Sequence, residues 1–375
     1  MKVLSLGIGT QLFDTKGKVA MRIREHGKQV AELCIITYTG PSYKSVTIGN
    51  NVRVYPTNSS KRYRYFYDSL KLAWPIIKEW KKTTNEIVIT SQEGMTNIPA
   101  IILSVFFCLG LEVQIHTDVL SRYFKQESLT NRLRLVGYWL GVKRARSVRV
   151  VSRRIARLLI TRWRIDGKKI SVLPVYLDKD YWLQPYTSRD NLHQRFPQFD
   201  KIILMASRFT REKNLPLALE AVSRVQSKFP RTGLVIVGGG SEQAGLVGGG
   251  VVVLPWALEL RDYYHSADIF LLTSNYEGYG LTLVESALSG LPIVTTDVGV
   301  VGELITPHNA LVAPVADVGK LADCLNFLVQ NDEARRMMSK RLLQISKKLP
   351  DKDAYMNLFK ASLERCIVKH DTPTS

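Results

Sequence analysis

From Lys201 to Val315 the chain alternates short apolar segments with amphipathic ones, and this alternation restricts the possible fold more than any other feature. The segments that have the length and apolar content of buried strands are KIILMAS, TGLVIVGGG, DIFLLTS, LPIVTTD and NALVAPV. Sequence with apolar residues at helical spacing separates most of them. Buried strands that alternate with helices indicate a parallel sheet covered on both faces, so we expect a doubly wound α/β domain.

The first half of the chain shows the same alternation less regularly, and 375 residues exceed what one hydrophobic core usually holds. A polar stretch with two prolines, QPYTSRDNLHQRFPQFD, separates the halves. We therefore predict two Rossmann-like domains that face each other across a cleft, at residues 1–180 and 181–350. A helix within residues 351–375 is predicted to pack back on the first domain.

Three local features bear on the compartment of the protein. The longest apolar stretch, Ile98 to Leu111, has 14 residues, which is too short to cross a bilayer, and we interpret it as a buried helix. The opening MKVLSLGIG has the pattern of a first strand and lacks that of a signal peptide. The four cysteines lie far apart, which indicates neither a disulfide framework nor a zinc site. These features predict a cytoplasmic protein.

The net charge of +19 is concentrated in one half of the chain. Residues 1–180 contain 31 Lys and Arg against 13 Asp and Glu, whereas residues 181–375 contain 21 against 20. Two basic stretches, 53–82 and 122–169, also carry aromatic and apolar side chains. Such surfaces suit anionic lipid headgroups, polyanionic glycans or nucleic acid, although a solvated surface of a basic protein has the same composition.

The stretch SNYEGYGLTLVESALSG combines a glycine-containing turn with two acids, Glu277 before a predicted helix and Glu285 inside it. Ligands of parallel sheets bind beyond the carboxyl ends of the strands, where a helix start presents free N–H groups and a partial positive charge. Gly278 and Gly280 allow the backbone to approach such a ligand closely. An anion site flanked by two carboxylates fits a nucleoside diphosphate joined to a sugar, because carboxylates bind hydroxyl pairs well.

The segment EGYGLTLVE resembles the E-x7-E motif of retaining glycosyltransferases with the GT-B fold, in particular glycosyltransferase family four. Three further segments resemble that family in its own order, namely ASRFTREKN, LVIVGGGSE and the run LELRDYYHSADIFLLTSNYEGYG. The similarity is close over residues 200–313 and weaker over residues 1–180. The resemblance implies the GT-B fold and a glycosyltransferase.

The resemblance also implies which residues bind the diphosphate of the donor. Arg208 and Lys213 of ASRFTREKN correspond to the family's R-x4-K pair. The backbone N–H groups at the start of the predicted helix would hold the same phosphates, at Gly280, Leu281 and Thr282. Two cations beside a helix start are well suited to an anionic ligand.

Other contacts to the donor follow from the same resemblance. Glu285 would bind the ribose and Glu277 a hydroxyl of the donor sugar. The family has a histidine after the strand that corresponds to VQIHTD, which makes His116 a candidate for contacting the transferred sugar, with Asp118 nearby. Many family members have a glycine-rich loop after the first strand, and here only Gly17, with the lysine that follows it, stands in that place.

In mechanism the resemblance implies transfer with retention of configuration and no metal ion or cofactor. The donor would be a UDP or GDP sugar, and the acceptor a glycan or lipid-linked molecule used to build polysaccharide or cell envelope. The basic first half would face the acceptor, so we predict peripheral attachment to the anionic inner face of the membrane and no nucleic-acid partner. The alternatives are another GT-B enzyme, such as a nucleotide-sugar epimerase, and a basic nucleic-acid-binding protein.

Overall fold

The computed structural model of the chain describes residues 1–242, 249–257 and 259–368. Its internal contacts divide the chain into two compact units. The first unit comprises Met1–Pro174 together with the segment that begins at Lys352, and the second is Val175–Asp351. The predicted boundary at residue 180 differs from this division, because it falls inside a helix of the second unit, Lys179–Leu183.

The first unit is an eight-stranded sheet with helices between most strands. Its strands are β1 (Lys2–Gly7), β2 (Glu32–Thr37), β3 (Val46–Ile48), β4 (Val52–Pro56), β5 (Ile87–Ser91), β6 (Gly110–Ile115), β7 (Ser147–Val150) and β8 (Ile170–Val172). Its helices before residue 175 are α1 (Lys18–Gly27), α2 (Tyr65–Lys81), α3 (Gly94–Phe106), α4 (Arg122–Glu127), α5 (Leu129–Arg144) and α6 (Arg153–Trp163). The strand order is β3-β4-β2-β1-β5-β6-β7-β8, and only β3 runs antiparallel to its neighbour within this sheet.

The interpretation of Ile98 to Leu111 as one buried helix is wrong in two respects. Helix α3 ends at Phe106, and Gly110 and Leu111 already belong to strand β6. One side of α3 is also exposed, including Val105 and Phe106. Among the described residues, no helix is both long enough and apolar enough to cross a membrane.

The C-terminal helix α14 (Lys352–Glu364) is a part of the first unit. Its Phe359 ring stacks on the imidazole of His26 with centroids 4.2 Å apart, and Lys352 Nζ lies 2.9 Å from Glu25 Oε2. Just beyond the helix, a Cβ at Gly110 would lie 1.7 Å from the carbonyl oxygen of Cys366. Only glycine therefore lets β6 and the C-terminal segment approach so closely.

The contact between α1 and α14 makes the stability of the first unit sensitive to acid. Burial, followed by the charges of Arg149 and Arg22, lowers the pKa of His26 to about 3, whereas the unfolded chain has the ordinary value of 6.5. The folded state holds His26 neutral, so the unfolded state binds more protons between these values and stability falls as the pH drops through that window. We expect His26 to remove about 2 kcal/mol of stability between pH 6.5 and pH 5.

The variant His26→Phe keeps the ring stack on Phe359 and removes the titrating group. Urea unfolding at about pH 7 and pH 5 should show a smaller acid-induced loss of stability for this variant than for the unchanged protein. An equal loss in both proteins would contradict the assignment of His26 as a buried neutral base.

The second unit contains a six-stranded sheet in which all the paired strands are parallel. Its strands are β9 (Lys201–Arg208), β10 (Thr232–Gly239), β11 (Val251–Leu254), β12 (Ile269–Leu272), β13 (Ile293–Thr296) and β14 (Leu311–Ala313). Its helices are α7 (Lys179–Leu183), α8 (Leu192–Arg195), α9 (Leu215–Gln226), α10 (Arg261–Ser266), α11 (Leu281–Leu288), α12 (Val318–Gln330) and α13 (Asp332–Leu343). The strand order β11-β10-β9-β12-β13-β14 confirms the predicted doubly wound α/β fold.

Candidate functional site

The candidate site of the second unit lies where β9 and β12 end. These strands are parallel neighbours, so the loops after them leave the same edge of the sheet side by side. The hydroxyl of Thr273 donates to the carbonyl oxygen of Lys213 at 2.9 Å, and the Asn275 N–H donates to that of Glu212 at 2.7 Å. Asn214 adopts the left-handed conformation that turns the chain from the first loop into helix α9. The two loops form one hydrogen-bonded platform.

Lys213 and Glu277 form an ion pair on this platform. Lys213 Nζ lies 2.5 Å from Glu277 Oε1, and each side chain is only 13% exposed. The Ser274 hydroxyl donates to the same carboxylate oxygen at 2.8 Å. Since an ammonium group carries three donors, Lys213 can bind an anion while it still holds Glu277.

Arg208 stands at the end of β9 but does not contact either predicted glutamate in the described structure. Its guanidinium lies 3.3 Å from Glu212 Oε1, and its side chain is 69% exposed. An exposed ion pair of this kind contributes about 0–1 kcal/mol, so it restrains the guanidinium only weakly. The structure therefore brings Lys213 and Glu277 together and leaves Arg208 on the surface beside them.

Two buried hydroxyl groups flank Arg208 in the sequence. Ser207 Oγ and Thr210 Oγ1 have no hydrogen-bond partner among the described residues. Buried polar groups are almost always paired in folded proteins. Unpaired hydroxyls at the end of a parallel strand are consistent with a polar ligand at this edge of the sheet.

Helix α11 begins directly after the loop that carries Glu277. Gly280 has φ +84° and ψ +60°, the left-handed conformation that favours glycine, and among the described residues no side chain caps this helix. The N–H groups of Leu281 and Thr282 follow directly. An uncapped helix start with its partial positive charge is suited to an anion.

Glu285 is buried one turn further into α11, where a tyrosine holds it. The fully buried hydroxyl group of Tyr264 donates to Glu285 Oε2 at 3.0 Å. Burial and the neighbouring carboxylate raise the pKa of Tyr264 well above its usual value. The phenol therefore stays a hydrogen-bond donor at any ordinary pH. A carboxylate accepts about four hydrogen bonds, so a fixed Glu285 keeps acceptor capacity for a ligand.

The candidate residues of the first unit lie at the carboxyl ends of its strands. His116 follows β6, its side chain is exposed, and its Nε2 lies 3.2 Å from Gln114 Oε1. Asp118 has a local structural role, because its Oδ1 accepts the N–H groups of Leu120 and Ser121 at 3.1 Å each. Burial raises the pKa of Asp118.

Gly17 occupies the place where the resemblance implies a glycine-rich loop. It is the residue before α1, and its N–H donates to the carbonyl oxygen of Asp14 at 3.1 Å. A Cβ at this position would lie 2.8 Å from Asp14 Oδ2, so the exposed Asp14 side chain would have to move to admit a larger residue. Gly17 thus shapes the approach to α1 after the first strand.

Three residues that the sequence analysis did not single out also shape the site, namely Tyr264, Ser274 and Gly299. Gly299 has φ +56°, and a Cβ there would lie 2.3 Å from the carbonyl oxygen of Tyr279. The next residue, Val300, donates its N–H to that same oxygen at 2.9 Å. This hydrogen bond joins the loop after β13 to the loop before α11. The two glycines of DVGVVGE, after β13, could have predicted a close backbone contact here. No sequence pattern indicates the contact between Tyr264 and Glu285.

No group of three or more His, Cys, Asp and Glu side chains within the described ranges is arranged to hold a metal ion. The end of β9 and the loop after it contribute the cations Arg208, Arg211 and Lys213.

Residues 189–343 match the family described as glycosyl transferases group 1. The glycogen synthase of Mycobacterium tuberculosis is 24% identical over 270 residues, which is 68% of this chain and 63% of that protein. The putative teichuronic acid biosynthesis glycosyltransferase TuaC of Bacillus subtilis is 26% identical over 166 residues, covering 43% of this chain and 42% of TuaC. The alignments therefore span less than two thirds of either relative.

The fold is shared more widely than the sequence. The crystal structure of Anabaena HepE in complex with UDP matches 97% of this chain and 100% of its own with a TM-score of 0.74 and 16% identity. At that identity the likeness shows the fold, which is the GT-B fold predicted from the sequence. The family match thus lies within the second unit, at residues 189–343, and the likeness over the whole chain is one of fold.

Proposed function

We propose that the chain transfers a sugar, with retention of configuration, from a nucleoside-diphosphate sugar to a glycan or lipid-linked acceptor in polysaccharide or cell-envelope synthesis. The observation that carries this proposal is the ion pair of Lys213 and Glu277 beside the uncapped start of α11. Glu277 stands three residues before Gly280, so the two features are at most about 11 Å apart along the chain. A diphosphate fits between an ammonium group and such a helix start.

The leaving group of the reaction is the nucleoside diphosphate, which gains negative charge as its bond to the sugar breaks. In the proposal Lys213, held by Glu277, and the N–H groups at the start of α11 stabilise this charge, and each such donor is worth about 3 to 4 kcal/mol. Arg208 adds a second cation once it leaves its weak pair with Glu212. These groups supply the stabilisation without requiring a metal ion.

The two glutamates have separate roles in the proposal. Glu285, held by Tyr264, accepts hydrogen bonds from the ribose hydroxyls. Glu277 accepts a hydroxyl of the donor sugar, and its pair with Lys213 prevents its charge from repelling the phosphates. As the bond between the anomeric carbon and the phosphate oxygen breaks, the acceptor oxygen bonds to that carbon on the same face and passes its proton to the departing phosphate, so the configuration is retained. His116 would contact the transferred sugar, and Gly17 would let the first strand's loop approach the donor.

For the donor we propose UDP first and GDP second. HepE, which shares the fold, was solved with UDP, and two of the sequence relatives are named for glycogen synthesis and for teichuronic acid biosynthesis. For the place of action we propose the cytoplasmic face of an anionic membrane, where the basic first unit would meet a lipid-linked or glycan acceptor. We propose no nucleic-acid partner.

A thermal-shift series with UDP, GDP, ADP and their common sugar conjugates tests the proposed donor. A specific ligand stabilises the folded protein by RT ln(1 + [L]/Kd), about 2.7 kcal/mol at a hundredfold excess over Kd. We expect UDP or GDP and its sugar conjugates to raise the melting temperature, with ADP much weaker. If none of the nucleotides changes the melting temperature at millimolar concentration, the proposed function is wrong.

A further inference from the structure

Helix α5 exposes an apolar stripe along its length. Its exposed apolar residues recur every three or four positions, at Leu129, Leu133, Val136, Trp139 and Leu140. This spacing places the residues on one side of the helix. The opposite side, with Tyr138 and Val142, is buried. Leu129 is 74% exposed and Leu133 is 64% exposed, which is far more than a packed helix of a monomeric protein requires.

Helix α3 exposes a second apolar stripe beside the first. Its exposed residues are Met95, Ile102, Val105 and Phe106. The helices touch at their backbones, since a Cβ at Gly94 would lie 2.2 Å from the carbonyl oxygen of Arg134, and one at Gly137 would lie 2.1 Å from that of Gly94. Both helices also pack on strand β6. Their outward sides therefore adjoin, and we call these nine residues the α3/α5 surface.

The charged side chains that α3 and α5 themselves carry are all positive, and the nearest acid before α5, Glu127, accepts a hydrogen bond from Asn131 Nδ2 at 3.3 Å. Neither helix contains an aspartate or a glutamate, and α5 contributes Arg132, Lys143 and Arg144 as exposed cations. Glu93, which caps the start of α3, is buried and paired with Arg134. A recess at the end of this surface is bordered by Val105 and lined by three cations, Arg144, Arg146 and Lys169. An apolar centre with a cationic rim suits a partner that is apolar inside and anionic outside.

We propose that the α3/α5 surface docks the protein on an anionic lipid bilayer, with its apolar side chains in the interfacial region and its cations on the headgroup phosphates. This inference deepens the proposed function, because it names the surface that would bring the transferase to a membrane acceptor. Helices that lie in the interfacial region of a bilayer typically carry these types of side chain, namely Leu, Val, Trp, Lys and Arg. A second copy of the chain fits less well, because it would bring two cationic rims together.

The charge of the lipid separates a bilayer partner from a protein partner. We propose sedimentation of the full chain with vesicles of phosphatidylcholine alone or with about 30% phosphatidylglycerol, at low and at physiological salt. The protein is expected to bind the anionic vesicles, to bind neutral ones at least about tenfold more weakly, and to lose affinity as salt rises.

Two double variants test the surface directly. The variant L133S/W139S removes apolar contacts and keeps all charges, and it should weaken binding to anionic vesicles by about tenfold or more. The variant R132Q/R144Q removes two cations and should weaken it by about 10- to 30-fold, with a shallower salt dependence. Phe327→Ser, which removes an exposed apolar residue of α12 in the second unit, is the matched control and should bind like the unchanged protein.

Two outcomes would overturn the inference. One is that the unchanged protein does not bind anionic vesicles at low salt. The other is that L133S/W139S binds them as tightly as the unchanged protein, or that sedimentation velocity shows a dimer of the unchanged protein which this variant does not form. Nucleotide stabilisation, measured in the same samples, separates this inference from the proposed function. Both variants should still be stabilised by the nucleotide, because their substituted residues lie outside the second unit. If no sample is stabilised by a nucleotide, the proposed function is wrong, whereas the conclusion about vesicle binding is unaffected.

Discussion

Replacing Lys213 with alanine is expected to lower sugar transfer by about 10²- to 10³-fold, the usual effect of removing one fixed donor from a developing negative charge. The expectation rests on the position of its ammonium group, 2.5 Å from Glu277 Oε1 and beside the start of α11. Turnover of the nucleotide sugar, measured by release of the nucleoside diphosphate, is the direct assay. Lys320→Ala, an exposed lysine of α12, is the matched control and should leave turnover unchanged.

The same variant has a second expected effect, on stability. Removing one partner of a largely buried ion pair leaves the other charge uncompensated and typically costs about 3 to 5 kcal/mol. The double variant K213M/E277Q removes both charges and should recover most of that stability, as measured by urea unfolding, without recovering turnover. Near-normal turnover in folded Lys213→Ala would contradict the role of Lys213 in stabilising the leaving group.

Replacing Glu285 with alanine is expected to raise the KM for the donor by about 10- to 100-fold. The carboxylate would otherwise accept the ribose hydroxyls, and hydrogen bonds to charged groups contribute about 1.5 to 3 kcal/mol. The substitution also takes the nearer acceptor from the buried hydroxyl group of Tyr264 and leaves it the carbonyl oxygen of Thr282 at 3.5 Å, so it should cost about 1 kcal/mol in stability. Donor titration and urea unfolding measure the two effects separately.

Tyr264→Phe separates positioning from direct binding at Glu285. It removes the hydrogen bond that orients the carboxylate but keeps the carboxylate itself, so we expect a smaller rise in KM than for Glu285→Ala. In the double variant E285A/Y264F most of that stability should return, because the buried hydroxyl group that lost its nearer acceptor is removed as well, while the donor remains weakly bound. Tight binding of the nucleoside diphosphate by that double variant would rule out Glu285 as the ribose ligand.

The second unit was predictable from the sequence because its decisive signals are local. Each of its strands contains a run of apolar residues, and the turn before α11 carries Glu277, Gly278 and Gly280 within eight residues of the end of β12. Lys213 and Glu277 were both predicted, but their direct pairing was not, because it depends on β9 and β12 being neighbours. Tyr264 was missed for the same reason, since its role exists only once α10 packs against α11.

The first unit was less predictable for physical reasons that its sequence shows. Helix α3 contains no charged residue, so the usual contrast between a polar and an apolar side could not reveal which side is exposed. Strands β3 and β8 have three residues each, which is too short for a periodic pattern to emerge. The +18 balance of residues 1–180 predicted an anionic partner, and the structure adds the apolar α3/α5 surface.

The most direct test of the account is a calorimetric titration of the protein with the nucleoside diphosphate that stabilises it most and with the matching nucleoside. If the diphosphate is held between Lys213 and the start of α11, the nucleoside diphosphate should bind at least about a hundredfold more tightly than the nucleoside, since two such contacts are worth about 3 kcal/mol. Lys213→Met should remove much of that difference. Equal affinities for the two ligands in the unchanged protein would contradict the diphosphate site and the transferase function derived from it.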